Sequence, residues 1–122
     1  MRDWDVPSCR AIEAEYWRTL NLGMPPMYGA DQQGTLFDDR TTQWNVGTLD
    51  SLLSRTLKCA LPGVTTPYLY FGMWRASFAW HVEDMDLYSI NYIHFGAPKQ
   101  WYAIRQADRM RFESVMASSF PA

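Results

Sequence analysis

The chain has 122 residues, with 11 Lys+Arg against 13 Asp+Glu for a formal net charge of −2, which is the size of one small domain or part of one. A composition of 48% apolar and 20% charged residues excludes wholesale disorder, and no apolar run is long enough to predict a transmembrane helix. The opening MRDWDVPSCR lacks the basic and then apolar pattern of a secretory signal. Lys and Arg form no cluster that would grip a phosphate backbone. Cys9 and Cys59 lack the spacing of a zinc knuckle or disulfide framework, so a reducing compartment is expected.

In chain order, Ala11–Leu20 carries good helix formers with Ile12, Tyr16 and Trp17 at helical spacing, which predicts a first helix. Gly23, Pro25, Pro26, Gly29 and Gly34 then predict loop or short extended pieces. Asn45 is a candidate cap for a second helix running to about Lys58, with Leu49, Leu52, Leu53 and Leu57 as its apolar stripe. Pro62-Gly63 breaks the chain. From Tyr68 the pattern changes, and Tyr68–Trp74, Ser77–Glu83, Leu87–Phe95 and Lys99–Ile104 read as four strands. Gln106–Ser118 returns to helical spacing. The ending SSFPA reads as a cut through something longer, because four strands neither close a barrel nor find cover from so few helices.

Eleven of the 19 aromatic residues fall between Pro67 and Tyr102, so the strand region is either a β-rich core or the wall of a pocket. The polar residues between the rings decide which. His81 and Glu83, two apart on an expected strand, project from one face, and an imidazole with a carboxylate is two-thirds of the facial set that holds non-haem iron(II). A single H-x-E triplet also arises by chance as a solvated Glu beside a core-edge His. A hairpin around Gly96-Ala97-Pro98 sets Phe95 opposite Lys99 and Ile93 opposite Trp101. That register puts Asn91, Lys99 and Trp101 on one face. A lysine so placed needs an anionic partner, which a dicarboxylate co-substrate supplies; the alternative is a snorkelling Lys99 at a strand start.

The stretch TPYLYFGMWRASFAWHVEDMDLYSINYIHFGAPKQWYAI (Thr66–Ile104), with EAEYWRTLNLGMPPMYGADQQGTLFDD (Glu13–Asp39) and QWNVGTLDSLL (Gln43–Leu53), closely resembles the JmjC domain of histone lysine demethylases. The nearest subfamily acts on tri- and dimethylated lysine 9 and lysine 36 of histone H3. The resemblance implies a mainly β fold with flanking helices, a partial double-stranded β-helix of the cupin or jelly-roll kind. It divides the chain into an N-terminal helical flank (1–26) and the N-terminal portion of a JmjC domain (27–122).

By the same resemblance, His81 and Glu83 are metal ligands and catalytic, with iron(II) and with 2-oxoglutarate and O₂ as co-substrates. Tyr28, Asn91 and Lys99 contact the co-substrate, with Phe78 and Trp101 as its apolar walls. Gly63, Tyr70 and Glu83 form part of the methyl-ammonium pocket, and Asp31 and Tyr68 contact the peptide. His94 is read as structural. The family's third ligand, a further His, has no counterpart before Ala122, and the subfamily's zinc site and JmjN segment are also absent from the sequence. The resemblance therefore implies removal of methyl groups by N-methyl hydroxylation for a parent protein, with these residues alone inactive. Methylated histone H3 in nuclear chromatin is the implied partner, with no membrane and no direct nucleic-acid contact. The alternatives are a non-catalytic methyl-lysine binder or scaffold, and a JmjC hydroxylase acting on other protein side chains.

Overall fold

A computed structural model describes residues 4–121. Helix α1 spans Val6–Thr19, beginning earlier than its apolar spacing predicts. Asp5 caps it by accepting from the Ser8 amide at 2.8 Å, and Pro7 falls in the first turn, where its missing N–H costs nothing. Strand β1, Tyr28–Gln33, pairs antiparallel with β2, Tyr68–Gly72. The pairing shifts by one residue between Gly29 and Gln32, a bulge that puts Asp31 at a left-handed φ of 57°. Bulges of this kind re-aim a side chain.

The long second helix is replaced by two short pieces. Asn45 caps only a 3₁₀ turn, Val46–Thr48, and the chain is extended at Leu49 before Ser51 starts α2, Leu52–Thr56. Ser51 and Ser54 exchange side-chain and backbone hydrogen bonds as a capping box, so a second N-terminus competes with continuation of the first. Asn45, 7% exposed, has both ends of its amide occupied. It donates to the carbonyls of Asp38 and Thr41 and accepts from the Gly47 amide.

Of the four expected strands, only the first forms a ladder. Residues 77–83, 87–95 and 99–104 lie outside strands and helices, and no hairpin register sets Phe95 against Lys99. An extended segment becomes a strand only with a partner to take its N–H and C=O groups, and among the described residues β1 pairs with β2 alone. Helix α3, Arg109–Ser119, follows a 3₁₀ turn at Gln106–Asp108, where helical spacing predicts it. No apolar side chain among the described residues is fully buried. Packing instead consists of aromatic contacts between segments. Trp74 meets Tyr16 of α1 at 6.5 Å, and Trp80 meets Phe112 of α3 at 5.0 Å.

Candidate functional site

The site residues fall into two patches. The first sits on the β1–β2 pair. Tyr70 donates from its hydroxyl to Asp31 Oδ1 at 2.7 Å, a contact the bulge at Asp31 makes possible. The Tyr28 and Tyr68 rings lie 6.0 and 6.5 Å from that of Tyr70. Hydrogen bonding to the Asp31 carboxylate, followed by burial, pushes the Tyr70 pKa up to about 12, because both favour the neutral hydroxyl. Burial, and then the Asp31 charge, also raises Tyr28. Gly63 adjoins the patch with φ +76°, and a Cβ there would come within 2.8 Å of the Tyr68 ring. Only glycine meets both demands, the backbone conformation and the ring contact. The structure thus brings together Gly63, Tyr68, Tyr70, Asp31 and Tyr28.

The second patch lies along residues 78–101. His81 and Glu83 line one open cleft of about 400 Å³, with Phe78, Trp80 and Trp101 among its walls. His81 Nδ1 is 2.7 Å from the Ala79 carbonyl oxygen. A carbonyl can only accept, so Nδ1 carries a proton, which leaves Nε2 as the ring atom that can offer a lone pair to a metal. The Glu83 carboxylate takes part in no ion pair among the described residues. These two donors suit a divalent ion such as iron(II). No group of three His, Cys, Asp or Glu side chains placed to hold a metal occurs among the described residues.

Lys99 packs on the same walls. Its Nζ lies 5.6 Å from the centroids of both Phe78 and Trp101, whose rings are 4.9 Å apart. Burial lowers its pKa, since desolvation disfavours the ammonium form. No carboxylate forms a salt bridge with Lys99 among the described residues. The Lys99 side chain is half-buried.

Asn91 is exposed. The Tyr28 ring lies beside that of Tyr70. The His94 ring lies tilted against Phe37 at 4.6 Å and edge-on to Tyr92 at 5.0 Å. Pattern reading missed Tyr102, whose hydroxyl joins two side chains of α1, and Arg75, which donates to the carbonyls of Leu20 and Leu22 just beyond α1. Arg75 has φ +71°. Neither interaction has a local sequence signal, because each partner lies more than 50 positions away.

Residues 68–121 match the family model described as "JmjC domain, hydroxylase", so that stretch is similar to part of a JmjC domain, whose fold is cupin-like. Its relatives are more particular. The chain is 53% identical to lysine-specific demethylase 4D of Rattus norvegicus, 51% to lysine-specific demethylase 4B of Mus musculus and 50% to the probable lysine-specific demethylase 4F of Homo sapiens. Each alignment covers 90% of this chain, but the chain spans only 22%, 10% and 18% of those proteins respectively.

Proposed function

We propose that this protein is a nuclear histone lysine demethylase of the iron(II)- and 2-oxoglutarate-dependent oxygenase class, acting on methylated lysine 9 and/or lysine 36 of histone H3. The observation that carries the reading is the Lys99 ammonium. It is half-buried over Phe78 and Trp101 with no carboxylate partner among the described residues, and those two rings wall the cleft lined by His81 and Glu83. The relatives' printed names and the JmjC match support it.

In this reading His81 Nε2 and the Glu83 carboxylate hold the metal, and the Ala79 carbonyl fixes the imidazole tautomer. Bound iron(II), with 2-oxoglutarate and O₂, supplies oxidative hydroxylation of an N-methyl carbon, after which formaldehyde leaves and the lysine has one methyl fewer. Lys99 takes the distal carboxylate of the co-substrate, and Phe78 and Trp101 keep water from that charge pair. Tyr28 and Asn91 are assigned as further co-substrate contacts. On the peptide side, Tyr70, the Gly63 carbonyl and Glu83 present oxygens to the methyl-ammonium, and Asp31 and Tyr68 meet the histone backbone. A plain methyl-lysine reader needs a cage of aromatic faces and has no use for the His81, Glu83 and Lys99 set.

The test is formaldehyde release from trimethyl-lysine 9 and trimethyl-lysine 36 peptides of histone H3 by the full protein. Release that requires 2-oxoglutarate and vanishes in His81→Ala is expected. Release unaffected by His81→Ala, or none from the unaltered protein, overturns the reading. The 122-residue chain by itself is expected to give none, because among the described residues no third ligand joins His81 and Glu83.

A further inference from the structure

Between Tyr88 and Ile104 no backbone hydrogen bond joins the chain to another element among the described residues. The residues that present Lys99 and Trp101 are therefore located by side chains. Tyr102 supplies the tie to a regular element. Its hydroxyl accepts from Trp17 Nε1 at 2.9 Å and donates to the Glu13 carboxylate, both on α1. The Tyr102 and Trp17 rings meet edge to face at 5.6 Å. One position earlier in the chain, Trp101 packs on Phe78 and carries the Lys99 ammonium.

We infer that Tyr102, held by Glu13 and Trp17 of α1, is a positioning residue for the carboxylate-binding pair Lys99 and Trp101. A hydroxyl that both accepts from an indole and donates to a carboxylate fixes the ring's direction as well as its place. Freed of that anchor, a segment without a ladder samples many backbone positions, and the Lys99 contact with two rings is lost. The inference goes beyond the assignment of Lys99 to the co-substrate, and only the second readout below depends on that assignment.

The experiment uses the 122-residue chain and nuclear magnetic resonance. Lys99 Nζ lies over two rings, so the adjoining ε-methylene protons are expected upfield of free lysine. Tyr102→Phe keeps the ring and removes both hydrogen bonds, and it should return those protons toward the free position. Resonances of Tyr70 and Asp31 should stay unmoved, which distinguishes positioning from general unfolding. Glu13→Gln retains an oxygen acceptor and should preserve the upfield position, whereas Glu13→Ala should lose it. If Tyr102→Phe disturbs the whole spectrum, Trp17→Phe provides the same test with one hydrogen bond removed.

The second readout is 2-oxoglutarate affinity, which should weaken at least roughly fivefold in Tyr102→Phe, the factor that losing even one of the two hydrogen bonds would set. Upfield Lys99 protons that persist in Tyr102→Phe overturn the inference, as does their absence from the unaltered chain. Protons that move in the variant while neither protein takes up 2-oxoglutarate leave the positioning role standing and refute the carboxylate reading.

Discussion

Between β1 and β2 the backbone makes the structure, with a ladder running from Tyr28–Gly72 to Gln33–Tyr68. Its bulge aims Asp31 at Tyr70. From Ser77 to Ile104 side chains make it instead. Phe78 meets Trp101, Trp80 meets Phe112, and Tyr102 reaches Glu13 and Trp17, while the backbone forms no ladder. The contrast runs against local preference. YGADQQ is a poor strand former that pairs because a partner is present, and SFAWHVE is a good one that stays unpaired. Strand propensity describes a surface suited to a sheet; a neighbouring strand turns it into one.

The largest effect expected in the laddered region is on the Tyr70 hydroxyl. Its pKa of about 12 should fall back toward 10 in Asp31→Asn, as read by ultraviolet tyrosinate absorbance. The neutral hydroxyl is the form the fold favours. Its contribution to stability is therefore complete below the unfolded pKa near 10 and is lost as pH rises through about 12. Titration of every tyrosine near 10 would show that the bulge does not deliver Asp31 to Tyr70.

A smaller effect separates the two regions directly. Amides bonded across β1 and β2 should exchange with solvent at least about tenfold more slowly than those of residues 88–104, since local opening follows the number of backbone hydrogen bonds broken. Equal rates would erase the distinction. The smallest effect sharpens one end of it. Gly63→Ala places a side chain at φ +76° against the Tyr68 ring and should cost roughly 1–2 kcal/mol of local stability. The sign to look for is loss of the Tyr68–Tyr70 ring contact, and an unchanged contact would contradict the role given to Gly63.

The two patches were legible in the sequence to different degrees. His81 with Glu83 and Lys99 with Trp101 could be paired by spacing alone, and those pairs do share one cleft and one aromatic wall. Asn91 was grouped with Lys99 through a hairpin register, and that ladder does not form. The β1–β2 pair escaped pattern reading because Gly29 and Asp31 argue against a strand. The Asp31–Tyr70 bond depends on a bulge that only the pairing creates. Asp5 and Pro7 signalled the early start of α1, and Asp50-Ser51 signalled the break before α2, but apolar spacing outweighed both. The Tyr102 tie spans most of the chain, so no window of neighbouring residues could reveal it.

In the proposed function Lys99, walled by Phe78 and Trp101, receives one carboxylate of 2-oxoglutarate. Titrating 2-oxoglutarate into the 122-residue chain, with Lys99→Met alongside, tests it most directly through the Trp101 indole and Lys99 side-chain resonances. Both should shift in saturable fashion in the unaltered chain, with Trp44 unmoved, and Lys99→Met should weaken uptake at least about tenfold, as loss of a charge partner requires. Resonances of Trp101 and Lys99 that ignore 2-oxoglutarate, or a dissociation constant unchanged by Lys99→Met, would contradict the account.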